Sequence, residues 1–155
     1  MKLHEIIDDN EIKIDLEAED KYEAIEELVD LLIAEHEISL RDRDEIIEVV
    51  MQREKSISTG VGGGVAIPHG TISCTEEIVG AIGISHRGID FESVDGAPVY
   101  IVLLLLVPKT QIGKHIKTLA QIARTLNHQA VRDRIRAADS PEDVFDILEA
   151  AGQEE

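Results

Sequence analysis

Basic side chains are scarce in this 155-residue chain: 15 Lys and Arg stand against 32 Asp and Glu, a formal charge of −17. A surface that acidic repels phosphate backbones, which excludes non-specific nucleic-acid binding. Cysteine occurs once, at Cys74, so an intrachain disulfide is excluded and a reducing compartment is expected. Long apolar runs are also missing. The longest, Val99 to Val107, is too short to cross a bilayer, so no direct membrane insertion is expected. The start, MKLHEIIDDNE, has no basic-then-apolar signal pattern. Proline is limited to Pro68, Pro98, Pro108 and Pro141, and no linker, repeat or low-complexity segment interrupts the chain. What is present is 43% hydrophobic residues spread along the whole length. The expectation is one soluble, cytoplasmic domain over residues 1–155.

Charge is unevenly placed. Residues 1–60 hold 19 acidic and 7 basic side chains, whereas residues 109–136 hold seven basic ones against Asp133 alone. Solvated helix faces that simply differ account for most such runs. A second reading has the basic segment facing an anion while the acidic remainder attracts a basic partner. A third is adaptation to high salt, which predicts stability that rises with salt beyond ordinary screening.

Alternation of Ile12, Ile14 and Leu16 with polar residues predicts a short strand over 12–16. Asp20 followed by Glu23 is a helix start, and Ile25, Leu28, Val29 and Leu32 share one face up to about Glu35. A second helix is expected after Ser39, through Ile46, Ile47, Val50 and Met51 to about Glu54. Val65-Ala66-Ile67 reads as a short strand stopped by Pro68. Ile78–Ser85 and Val99–Val107 are apolar and rich in branched residues; the second lacks alternation and is expected to be central and buried on both faces. A helix over about 111–126 carries Ile112, Ile116, Leu119, Ala123 and Leu126 on one stripe. Another follows near 130–137, and Ser140-Pro141 opens the last. Helices that precede, separate and follow buried strands give an α/β class: a central mixed sheet covered by helices on both faces.

Chemistry concentrates in Ser56–Gly70, SISTGVGGGVAIPHG. Gly60, Gly62, Gly63 and Gly64 allow tight turning and uncover backbone amides, and Ser58 and Thr59 add hydroxyls. Such a loop can cradle a phosphate or serve only as a mobile connector. It is neither a P-loop nor a dinucleotide fingerprint, since no Gly-Lys-Ser/Thr follows and a strand comes next. His69 after Pro68, at the expected end of a buried strand, is either a histidine bonded to a carbonyl or a nucleophile able to carry a phosphoryl group. His115 borders the apolar stripe of its helix, as a packing residue or as a donor to a phosphoryl group on His69. The spacings of His69, His86 and His115 match no metal-binding pattern, and no metal site is expected.

Three stretches resemble a known family. Arg53-Glu54, Ser58-Thr59-Gly60-Val61-Gly62 and Gly64-Val65-Ala66-Ile67-Pro68-His69-Gly70 are similar to the active-site signature of the EIIA domain of the phosphoenolpyruvate-dependent phosphotransferase system, in its fructose–mannitol and nitrogen-regulatory class. Gly88-Ile89-Asp90-Phe91, Val94-Asp95-Gly96-Ala97-Pro98-Val99 and Leu106-Val107-Pro108 resemble its turn into the central strand. His115 to Arg124 resembles the helix that supplies its second histidine. Gly63 and Thr71 depart from the usual pattern. The resemblance implies that His69 accepts a phosphoryl group from an HPr-like phosphodonor. The group would pass to an EIIB cysteine in sugar uptake or remain as a regulatory mark. It also implies that Arg53 and His115 neutralise or hydrogen-bond the phosphoryl oxygens. The chain would then be a phosphotransferase component needing no cofactor.

A rival from another class is a non-catalytic module on the same fold, in which the loop senses an anion or the acidic surface docks a protein. It does not require Arg53, His69 and His115 to converge.

Overall fold

In a computed structural model of the protein, which describes residues 1–153, the run Val99–Pro108 is the central strand, β6. Its side chains alternate between two cores: Ile101, Leu103, Leu105 and Val107 enter one, and Val102, Leu104 and Leu106 the other. Burial on both faces removes the polar alternation that would mark a half-exposed strand. Helices α2 (Lys21–Ala34) and α3 (Arg43–Ser56) cover one face with Ile25, Leu28, Leu32, Ile46 and Val50. The other face carries α1 (Leu3–Ile6), α4 (Ile112–Leu126), α5 (Gln129–Ala137) and α6 (Pro141–Gln153), through Leu3, Ile122, Leu126, Ile135, Val144 and Leu148. The sheet is mixed and the class is α/β, as expected.

Strand β5 (Val79–Ile89) runs antiparallel to β6, and the two-residue β1 (Ile12–Lys13) lies parallel to β5 at the edge. On the other side of β6, two short strands follow one another along the same edge. These are β3 (Val65–Ala66) and β4 (His69–Ile72), both parallel to β6, and β2 (Gly60–Gly62) pairs with β3 as a hairpin. The expected strand ending at Pro68 is therefore only half of the edge. Proline has no N–H to donate and interrupts the ladder, but its carbonyl accepts the Leu105 amide at 3.0 Å, and pairing resumes at His69 opposite Leu105. His69 opens a strand rather than ending one.

Most helix limits agree with the caps. The Asp20 carboxylate accepts the Glu23 amide at 2.9 Å, and the Ser140 hydroxyl accepts the Asp143 amide at 3.2 Å. Strand 12–16 shrinks to two residues, and the glycine loop contributes a strand instead of remaining open. The main correction concerns α4. Its buried side is His115, Thr118, Ile122, Thr125 and Leu126, while Ile112 and Ile116 are 47% and 61% exposed. The helix is rotated so that much of its apolar stripe walls two surface hollows instead of entering the core.

Candidate functional site

The first hollow is a cleft of about 370 Å³ between α3, β4 and α4. Val49 and Arg53 enter from α3, His69, Gly70 and Thr71 from β4, Val107 from β6, and Ile112, Ile116 and Leu119 from α4. Gly70 makes the approach of β4 to α3 possible, because a Cβ there would lie 2.8 Å from Cγ1 of Val49. This close contact puts His69 and Arg53 in one cleft although sixteen positions separate them in the chain.

The His69 ring is oriented by its own strand. Its Nδ1 donates to the Ile67 carbonyl at 2.8 Å, and a carbonyl can only accept, so Nδ1 carries the proton. The lone pair is then on Nε2, which no described residue engages. Arg53 is half-buried and anchored through one Nη to the Ile57 carbonyl at 2.6 Å, and among the described residues the rest of its guanidinium fork has no partner.

His115 is adjacent on α4 but does not line the cleft. It is fully buried, and its Nε2 donates to Oε1 of Gln111 at 3.1 Å; Gln111 in turn donates to the Glu76 carbonyl at 2.9 Å. Its Nδ1 is buried without a hydrogen-bond partner among the described residues. Burial, reinforced by the charge of Lys114, holds this imidazole below its usual pKa and therefore neutral. His86 bonds the Ile14 carbonyl at 2.8 Å, lies 3.1 Å from Asp15 and does not line the His69 cleft.

The loop Ser58, Thr59, Gly60, Gly62, Gly63 and Gly64 contributes nothing to the His69 cleft. Its hydroxyls and the Thr59, Gly60 and Gly63 amides are already engaged. The Ser58 hydroxyl donates to the Phe91 carbonyl and accepts the Gly60 amide at 3.0 Å. The Thr59 amide and hydroxyl both donate to the Glu54 carboxylate. Glu54 is only 1% exposed, and Lys21 joins it at 3.5 Å to Glu92 at 3.3 Å. The Gly63 amide donates to Asp95 at 3.1 Å, and the Ala97 amide, seconded by that of Gly63, holds this carboxyl below its ordinary pKa. A nest already holding a protein carboxylate is not the cradle expected for a phosphoryl group on His69. The Glu54 hub was missed by sequence reasoning, although Glu54 sits inside the signature.

A second hollow, of about 260 Å³, lies along α4 towards its C-terminus. Val61 and Gly62 of the loop meet Ile67, Ala123, Arg124, Leu126, Asn127 and Arg132 there. Ile67 thus lines this hollow while its carbonyl holds the His69 ring. No helix among the described residues is long and apolar enough to cross a membrane.

Comparison with known proteins identifies the family. The family model "Phosphoenolpyruvate-dependent sugar phosphotransferase system, EIIA 2" matches residues 5–151. The chain is 39% identical over 133 residues to a nitrogen regulatory protein of Bradyrhizobium diazoefficiens, covering 86% of this chain and 85% of the relative. It is 34% identical over 125 residues to a fructose-specific EIIA component of Haloferax volcanii, covering 81% and 80%. The crystal structure of nitrogen regulatory protein IIA-Ntr from Neisseria meningitidis superposes with a TM-score of 0.86 at 34% identity, over 94% of this chain and 98% of that one. Sequence and fold therefore agree: the chain belongs to the EIIA 2 family of the phosphoenolpyruvate-dependent sugar phosphotransferase system.

Proposed function

We propose that this protein is a cytoplasmic phosphocarrier whose acceptor atom is Nε2 of His69. The observation that carries the reading is the hydrogen bond from Nδ1 to the Ile67 carbonyl, which leaves the free lone pair at Nε2 in the same cleft as Arg53. In the transfer, Nε2 attacks the phosphorus of a phosphohistidine on an HPr-like donor protein. The new N–P bond forms as the donor's N–P bond breaks, and that electron pair returns to the donor imidazole. The Nδ1 proton stays where it is. The guanidinium of Arg53 faces the equatorial oxygens, where the transferring group concentrates its charge. The exposed Ile112 and Ile116 give a partner protein an apolar surface beside the reacting nitrogen.

Downstream, the phosphoryl group passes to a cysteine of an EIIB protein, or it stays on His69 as a mark read by a regulatory target. The relatives named nitrogen regulatory proteins support the second route, and the fructose-specific relative supports the first. His115 would reach a phosphoryl oxygen only by exchanging Gln111 for it, since its one N–H is engaged there. It is therefore an auxiliary donor in this reading, and His115→Ala leaves acceptance intact while slowing transfer.

The test is intact mass at alkaline pH after incubation with phosphoenolpyruvate, enzyme I and HPr. The wild type gains one phosphoryl mass that acid removes, and His69→Ala gains none. A gain of equal size in His69→Ala refutes the assignment. No gain in either, with a donor set shown to phosphorylate another EIIA protein, favours the non-catalytic module.

A further inference from the structure

The glycine loop and the basic segment each suggested an anion in the sequence, and neither the loop nor the segment's Lys and Arg side chains line the His69 cleft. The structure brings the two together elsewhere. The Arg132 guanidinium lies against Gly63, and Arg124 and Arg132 line the second hollow with Gly62, Asn127 and the apolar side chains of Val61 and Ile67.

Three observations show that the place is shaped around cations without counterparts. Arg132 is fixed, since one Nη donates to the Leu126 carbonyl at 3.0 Å. Gly63 makes room for it: a Cβ at that position would lie 2.9 Å from Cζ of Arg132 and 3.2 Å from its Nε and Nη1. Among the described residues, neither Arg124 nor Arg132 has a carboxylate within ion-pair distance, in a chain of formal charge −17. Asp95, which takes the Gly63 amide, does not line the hollow.

We infer that this hollow is a binding site for a small organic dianion, distinct from the His69 cleft. Its charged end pairs with Arg124 and Arg132, Asn127 supplies an amide donor, and its carbon part rests on Val61, Ile67 and Ala123. The volume of about 260 Å³ lies below the ~300–1,000 Å³ of drug-sized sites, which favours an acid of a few carbons over a nucleotide. Arginine suits this task because its planar fork meets carboxylate and phosphate oxygens in pairs.

Calorimetric titration of the full chain with three probes tests the site: inorganic phosphate, a glycerol phosphate and succinate. The expected result is saturable one-to-one binding of an organic probe, weaker binding of inorganic phosphate, and heat that separates a phosphate monoester from a dicarboxylate. Arg124→Gln, at an exposed position, and Arg132→Gln each weaken it about tenfold to a hundredfold, the range of one charge-assisted hydrogen bond. His69→Ala leaves it unchanged, so the result is independent of the phosphocarrier reading. The inference is overturned if no probe saturates, if inorganic phosphate binds as well as the organic probes, or if Arg124→Gln, with melting unchanged, binds as the wild type does.

Discussion

Two hollows share the outward wall of α4, and they differ in what their polar groups have left to do. At the N-terminal half, Ile112, Ile116 and Leu119 face His69, whose Nε2 has no partner among the described residues, and Arg53, whose fork is anchored there at one end only. At the C-terminal half, Ala123 and Leu126 face a loop whose hydroxyls and Gly63 amide are bonded within the protein. The open valences of that hollow belong to Arg124 and Arg132 instead. A glycine-rich stretch next to His69 thus serves as a braced hairpin, and the imidazole nitrogen left open sits in the strand that follows it. The teaching is that a loop's ability to bind an anion depends on whether its amides are still vacant after folding.

The largest expected effect separates the two regions outright. His69→Ala abolishes phosphorylation in the mass assay, and Arg53→Ala slows it about a hundredfold, the scale for removing one charge-stabilising donor. Arg132→Gln leaves the rate close to wild type. A comparable loss in Arg132→Gln would merge the hollows into one catalytic surface.

Next comes the brace of the loop. Glu54→Ala removes the acceptor of Thr59 and one of the two partners of Lys21, and it should lower urea stability by about 3–5 kcal/mol. A loss below about 1 kcal/mol would mean that this buried network contributes little to holding the loop. Gly63→Ala should cost about 1–2 kcal/mol, since φ is +66° there and the new methyl meets Arg132. Unchanged melting would show that the hairpin adjusts freely.

The smallest effect is a pH dependence carried by His115. Burial lowers its folded-state pKa beneath the ordinary 6.5, so the folded state favours the neutral ring. As pH falls below about 6.5 the unfolded chain takes up the proton while the folded one resists it, and stability drops. His115→Gln should therefore narrow the stability difference between about pH 7.5 and about pH 5, measured by urea unfolding. Glu11 acts in the opposite sense: burial and Asp8 raise it to about 7, and its contribution is lost as pH rises from 4.5 through about 7. It is present in both proteins and cancels in the comparison. An unaltered pH slope in His115→Gln would show that the buried ring is not the source.

Much of the fold was legible because local physics and tertiary demand coincide. Asp20 and Ser140 cap helices wherever they are placed, and the unbroken run of β6 has no stable position except between two apolar layers. Two things escaped for a shared reason. Strand β4 has only His69-Gly70-Thr71-Ile72, with no alternation of its own, and exists because β6 offers an unpaired edge to which it binds at Leu105 to Pro108. The rotation of α4 is equally invisible, since periodicity defines a stripe but not how far it is turned towards the core.

By itself the sequence determined the class, the central strand, the signature that carries His69 and Arg53, and the scarcity of positive charge outside one segment. The tertiary structure alone decided which atoms remained free. Hydrogen-bond partners such as Ile67 for His69, Gln111 for His115, Glu54 for Thr59 and Asp95 for Gly63 lie 2 to 32 positions away in the chain. Each is fixed by packing rather than by residue type. A side chain's chemistry is written in its identity, but its availability depends on whether folding has already satisfied it.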